Sequence, residues 1–159
     1  MMQEQQKKFM QKAIELASQN IESGNGGPFG AVIVKDGKII AEGYNKVTST
    51  NDPTAHAEIV AIREACKTLN SFQLENCEIY TSCEPCPMCL GAIYWARPSK
   101  VFFSCNKDDA ADANFDDYFI YKELSLPMQK RSIPMIQLMR NEGLKVFEKW
   151  LNSDHKIAY

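Results

Sequence analysis

Two short clusters hold the residues best able to do chemistry: His56 with Glu58, and Cys86 with Cys89. The cysteines lie in Cys86-Pro87-Met88-Cys89. Residues three apart on a helix share a face, so both thiolates can grip one ion. The positive end of a helix favours their ionised form. His56, at the start of another predicted helix, is the third candidate ligand. Two thiolates and one imidazole suit Zn²⁺ and leave a fourth tetrahedral position for water, which separates a catalytic zinc site from a structural one. Zinc lowers the pKa of a bound water to about 7. A carboxylate beside such a site can take and return a proton of that water, and Glu58 is the candidate for this. Glu58 stands two residues beyond His56, which on a regular helix turns the side chains roughly 200° apart. Both face one site only if His56 sits at the cap or in the first turn.

Other readings of the same residues exist. An isolated C-x-x-C also serves as a structural zinc half-site or a redox motif. The His-x-Glu pair at a separate helix start weighs toward the catalytic site. Cys83-x-x-Cys86-x-x-Cys89 resembles part of an iron–sulfur run, but the fourth ligand of such a run falls at Ile93, which cannot bind iron. Cys83 is therefore read as a non-ligand. Cys66, Cys77 and Cys105 are expected to be packed thiols, and His155 a solvated surface residue.

The elements that must position these groups follow from periodicity. Residues 4–23 read as an amphipathic helix, with Phe9, Ala13, Leu16, Ala17 and Ile21 at spacings of three and four. Gly24 to Pro28 ends it. Two apolar runs, Ala31-Val32-Ile33-Val34 and Lys38-Ile39-Ile40-Ala41, flank Lys35-Asp36-Gly37 and predict an antiparallel hairpin. Asn51-Asp52-Pro53 opens a helix running to about residue 69. Glu78-Ile79-Tyr80-Thr81 is a short strand. Pro85 starts a helix that ends by Arg97-Pro98, and Val101-Phe102-Phe103 is the next strand. Residues 106–117 read as acidic and irregular. A short helix is expected over 116–123, a further strand over 133–138 despite Pro134, and a helix over 142–151, followed by a polar tail. The alternation predicts an α/β sandwich with helices on the sheet faces.

A chain of 159 residues suggests one compact domain over 1–159. It is long enough to bury roughly 70% of its unfolded surface. The net charge of −2 and pI of about 5.7 give no electrostatic reason to expect a nucleic-acid partner. The N-terminus has no apolar h-region, and no stretch approaches the ~20 apolar residues of a membrane span. The expectation is a cytoplasmic protein, where clustered cysteines favour metal binding over disulfides.

His56-Ala57-Glu58 followed by Pro85-Cys86-x-x-Cys89 is the pattern of the zinc deaminases. Over residues 26–105 the chain resembles the cytidine-deaminase-like superfamily. It looks most like the short bacterial guanine deaminases, over nearly its whole length. The stretches that carry this likeness run from Gly26-Gly27-Pro28-Phe29-Gly30 to Val34, from Asn51 to Glu58, and from Tyr80 to Arg97. Phe115-Asp116-Asp117, Phe119 to Glu123 and the terminal Tyr159 discriminate further. Residues 125–155 match less distinctly. The resemblance implies a three-layer α/β/α sandwich with a central mixed sheet, one Zn²⁺ per subunit, and hydrolysis of guanine to xanthine and ammonia. It places Asn45 and Asp117 on the edge of a small purine base and Phe29 against its ring. It also implies a homodimer in which a C-terminal segment, about 132–159, is exchanged so that Tyr159 reaches the partner's site. An amide matches the mixed edge of guanine, and a carboxylate accepts from ring N–H groups.

Taken alone, Asn45 reads first as a strand-end turn residue, Asp117 as a helix cap and Phe29 as core, while the tail reads equally as disordered. A tRNA adenosine deaminase is the nearest rival, since it uses the same zinc chemistry on a flipped base. It needs cationic surface, against which stand the pI and the acidic stretch from Asp108 to Asp117. A cytosine or nucleoside deaminase is weaker. An inactive zinc-stabilised interaction module has no use for Glu58.

Overall fold

The computed structural model describes residues 2–159. In chain order the elements are α1 (Met2–Ser23), β1 (Gly30–Lys35), β2 (Lys38–Tyr44), α2 (Val47–Thr50), α3 (Ala57–Leu69), β3 (Cys77–Cys83), α4 (Pro87–Ala96), β4 (Lys100–Cys105), α5 (Lys107–Asp112), α6 (Tyr118–Ser125), a 3-10 turn (Met128–Lys130) and α7 (Arg140–Leu151). They fall into two compact units, one ending at Asp117 and one spanning Tyr118–Tyr159. No helix among the described residues is long and apolar enough to cross a membrane.

The sheet of the first unit runs β2-β1-β3-β4. β1 is antiparallel to β2 and β3, while β3 is parallel to β4, so the sheet is mixed. The hairpin forms where the sequence predicts it. Asp36 and Gly37 both take positive φ, 49° and 70°, the conformation that a two-residue turn matched to strand twist demands. Alternation along the strands then builds two cores. Val32, Val34 and Tyr80 face α1 and pack with Phe9, Met10, Leu16 and Phe102. Ala31, Ile33, Ala41 and Ile79 face the other way and pack with Ala57, Ala61 and Ala65 of α3 and Ile93 and Ala96 of α4. This is the expected three-layer α/β/α sandwich. Burying one such isoleucine or valine contributes about 1.5–3 kcal/mol.

Two glycines set how closely the helices approach. A Cβ on Gly30 would collide with the Ala13 carbonyl of α1, and one on Gly43 with the Ala57 carbonyl of α3. α3 therefore begins directly on the sheet, which fixes the depth of its first turn.

Several boundaries differ from expectation. α3 starts at Ala57, not at Pro53. Asn51 instead ends α2 in the left-handed conformation. The Asp52 carboxylate accepts from the Thr54 amide at 2.8 Å and its hydroxyl at 2.7 Å, a turn that competes with a cap. α4 starts at Pro87, with Pro at its first position. Residues 107–112 are helical rather than irregular, because Asn106 and Asp109 form a reciprocal capping box. Residues 133–138 form no strand; Pro134 has no N–H to give to a ladder. Ile21 is exposed, and Asn20 takes its place on the buried stripe of α1. Cys77 is buried and Cys66 half-buried, but Cys105 is exposed rather than packed. His155 is exposed, as expected.

In the second unit the Glu123 carboxylate accepts from the Ser132 amide at 2.7 Å, and the Arg131 guanidinium donates to the Leu126 carbonyl at 3.2 Å. None of the residues of α6 or α7 is buried.

Candidate functional site

The first turns of α3 and α4 meet at one place. His56 is the N-cap of α3, with extended φ −67° and ψ 157°, and its side chain makes no capping hydrogen bond. That conformation removes the phase conflict between His56 and Glu58: the imidazole leaves the helix start in one direction, and Glu58, inside the first turn, reaches the same site. Cys86 is the N-cap of α4, with φ −65° and ψ 168°, and its sulfur accepts from the Cys89 amide at 3.5 Å. The Cys86 and Cys89 sulfurs each lie 3.5 Å from Nδ1 of His56. The three donor atoms all lie within 4.8 Å of one another. Two sulfurs and one imidazole nitrogen so gathered fit a tetrahedral zinc ion with one position left over.

Electrostatics support ligation. The Cys89 thiol and the His56 ring beside Cys86 hold its thiol down to about 4. Cys89 is pushed up by the shared hydrogen bond with Cys86 and by burial. A bound cation would hold both sulfurs as thiolates. Cys86, as hydrogen-bond partner, raises the pKa of His56. Cys83 lies outside the cluster; its thiol donates to the Asn106 carbonyl at 3.6 Å, and burial pushes it up to about 12.

Glu58 is only 6% exposed. Its Oε1 accepts from the Thr81 hydroxyl at 3.2 Å, and its Oε2 accepts from the Cys89 thiol at 3.4 Å. Burial raises its pKa, the direction that brings a carboxyl toward neutral pH and suits proton exchange.

Asn45, just beyond β2, is buried. Its Oδ1 accepts from the Gly27 amide at 3.3 Å and the Val47 amide at 3.2 Å. Those two donors fix the amide's orientation and occupy its acceptor. That leaves the N–H groups of the side chain, rather than its carbonyl oxygen, for any further partner. Its backbone amide donates to the Phe29 carbonyl at 3.1 Å, which ties the two candidates together. Phe29 is half-buried and meets Phe115 edge-on, with centroids 5.0 Å apart. Asp117 has a buried oxygen, Oδ1, without a hydrogen-bond partner among the described residues. Burial raises its pKa first, and the nearby Cys86 adds to this. A buried, unpartnered carboxylate oxygen is costly unless a ligand supplies the donor. Tyr159 is exposed and belongs to the second unit.

Two residues went unnoticed at the level of sequence. Asn20 donates from Nδ2 to the carbonyls of Gly27 at 2.8 Å and Asn45 at 2.9 Å, which pins the loop that carries Asn45. Its signal is a polar residue in phase with Ala13, Leu16 and Ala17. Thr81, the partner of Glu58, shows only as a threonine on a strand.

The family model of the cytidine and deoxycytidylate deaminase zinc-binding region matches residues 3–105. The chain is 58% identical over 151 residues to guanine deaminase of Bacillus subtilis (strain 168), covering 95% of this chain and 97% of that one. The crystal structure of guanine deaminase from Bacillus subtilis superposes with a TM-score of 0.94 at 57% identity, over 96% of this chain and 98% of that one. A tRNA-specific adenosine deaminase of Aquifex aeolicus (strain VF5) is 48% identical over 96 residues, 60% of this chain and 63% of that protein. By the family match over residues 3–105 and these alignments, the chain belongs to the cytidine and deoxycytidylate deaminase zinc-binding family.

Proposed function

We propose that this chain hydrolyses guanine, with water, to xanthine and ammonia. The observation that carries the reading is the 58% identity to a guanine deaminase over 97% of that enzyme's length. The likeness to the tRNA deaminase of Aquifex aeolicus ends at 60% of the chain. The net charge of −2 also disfavours an RNA partner.

His56, Cys86 and Cys89 would hold one Zn²⁺ per subunit. When bound, the ion supplies a Lewis acid that lowers the pKa of water to about 7. Glu58 takes one proton of the attacking water and delivers it to the ring nitrogen beside the amino-bearing carbon. It then takes the remaining proton of the added hydroxyl and passes it to the leaving amine, so that the C=O bond forms as the C–N bond breaks and ammonia departs. Asn45 donates to acceptor atoms on the purine edge. The unpartnered oxygen of Asp117 accepts from purine N–H groups, and Phe29 lies against the ring.

The reading includes a homodimer with an exchanged segment ending in Tyr159. Leu144, Phe147, Trp150 and Leu151, at helical spacing on α7, are all exposed, and a second subunit would cover them. A cytoplasmic location suits ligand cysteines that must stay reduced.

Ammonia release from a panel of guanine, adenine, cytosine, their nucleosides and tRNA tests the assignment. Turnover of guanine alone supports it. Turnover of tRNA adenosine without guanine would overturn it.

A further inference from the structure

The geometry points to Thr81 as a positioning residue that fixes the orientation of the Glu58 carboxylate, tying Oε1 to the sheet and leaving Oε2 toward the ligand cluster. The inference rests on the reading of Glu58 as proton carrier.

Thr81 sits on β3, paired with Ala31 of β1 and Phe103 of β4, and is 1% exposed. It lies two residues beyond Ile79, so its side chain points to the face covered by α3 and α4. There its hydroxyl donates to Glu58 Oε1 at 3.2 Å. The other oxygen, Oε2, lies against the Cys89 sulfur at 3.4 Å. The two carboxylate oxygens are therefore inequivalent: one is tied to the sheet, and the other faces the ligand cluster. A carboxylate at the end of a flexible side chain otherwise flips about a broad, nearly two-fold torsion. Rotation about that torsion would carry Oε2 away from the ligand cluster.

Without the hydroxyl, the buried Oε1 loses its donor from the sheet and the carboxylate plane is free to turn about that torsion, so Oε2 no longer holds its place beside the ligand cluster.

The test uses the full-length, zinc-loaded protein with guanine as probe. Thr81→Val keeps the shape and removes the hydroxyl. It is expected to lower kcat by about ten- to a hundredfold with KM unchanged. Zinc content by elemental analysis should equal that of the wild type. Thr81→Ser should recover most of the loss. In a Glu58→Gln background, measured at high enzyme concentration, Thr81→Val should cause no further loss, because both changes act through one group. Should Thr81→Val not fold, Thr81→Ala against Thr81→Ser carries the same comparison. Wild-type kcat in the hydroxyl-free variant, or an equal loss in the Glu58→Gln background, overturns the positioning role. Wild-type kcat in Glu58→Gln alone instead overturns the proton-carrier reading on which it rests, and a wild-type protein that releases no ammonia from guanine overturns the substrate.

Discussion

The Cys86 sulfur stands 3.5 Å from Nδ1 of His56, across thirty residues of chain, and this contact joins two helix N-caps. Both residues are extended, so their side chains leave the helix starts freely and meet. The ligand site is therefore a property of where α3 and α4 begin. Replacing any one of His56, Cys86 or Cys89 by alanine should abolish stoichiometric zinc, since each supplies one of the three donors that gather within 4.8 Å. Cys83→Ala should retain it. Elemental analysis of the purified variants decides, and a zinc-free Cys83→Ala protein would mean that the wrong cysteines have been chosen.

Asp117→Asn separates ligand binding from folding. Its buried Oδ1 has no partner to lose, and a neutral amide relieves the burial of charge. The melting temperature should hold or rise, while kcat/KM for guanine falls about a hundredfold, because an acceptor-only carboxylate becomes an amide that turns N–H groups toward ring N–H groups. Thermal melts beside kinetics check this. A parallel loss of stability and activity would favour a capping role at the start of α6.

Asp52 gives a pH prediction. The hydrogen bonds from Thr54, with Arg63 adding to them, hold its carboxyl below the ordinary 3.8. A depressed folded-state pKa stabilises the fold above the unfolded value and ceases to do so as pH falls through the folded one. The difference in melting temperature between wild type and Asp52→Asn should be level above pH 3.8 and close as the pH drops below it. Zinc loss in acid is common to both proteins and cancels in the comparison. A difference that persists in stronger acid contradicts the prediction.

Deleting Tyr159 tests the exchanged segment. Guanine turnover should fall strongly, with zinc content and melting temperature nearly unmoved, if a terminal phenol completes the site. Mixing the deleted chain with a Glu58→Gln chain should then restore activity, because one site of the hybrid has both groups. No gain in the hybrid would place tail and site in the same subunit.

Much of this was legible in residue types and spacing, and the exceptions have physical causes. The Asp-Gly hairpin and the paired strands follow from apolar runs and turn chemistry. The phase conflict between His56 and Glu58 already required His56 to lie at the cap or in the first turn. The start of α3 was misread because Asp52 satisfies its own local turn through Thr54, four residues before the true cap. The capping box of α5 was present as Asn106 and Asp109, but the density of acidic residues around it obscured the helix. Thr81 and the spent acceptor of Asn45 depend on which groups tertiary packing brings within 3.5 Å, and no periodicity encodes that.

Glu58→Gln bears most directly on the central claim that a buried carboxylate beside the zinc ligands moves the protons of guanine hydrolysis. The measurement is kcat for guanine, by ammonia release, on protein shown by elemental analysis to be fully zinc-loaded. The account predicts retained zinc, a retained fold and a kcat lowered by about 10²–10⁴ or more, since one group serves several transfers. Near-normal turnover in that zinc-replete variant would contradict it.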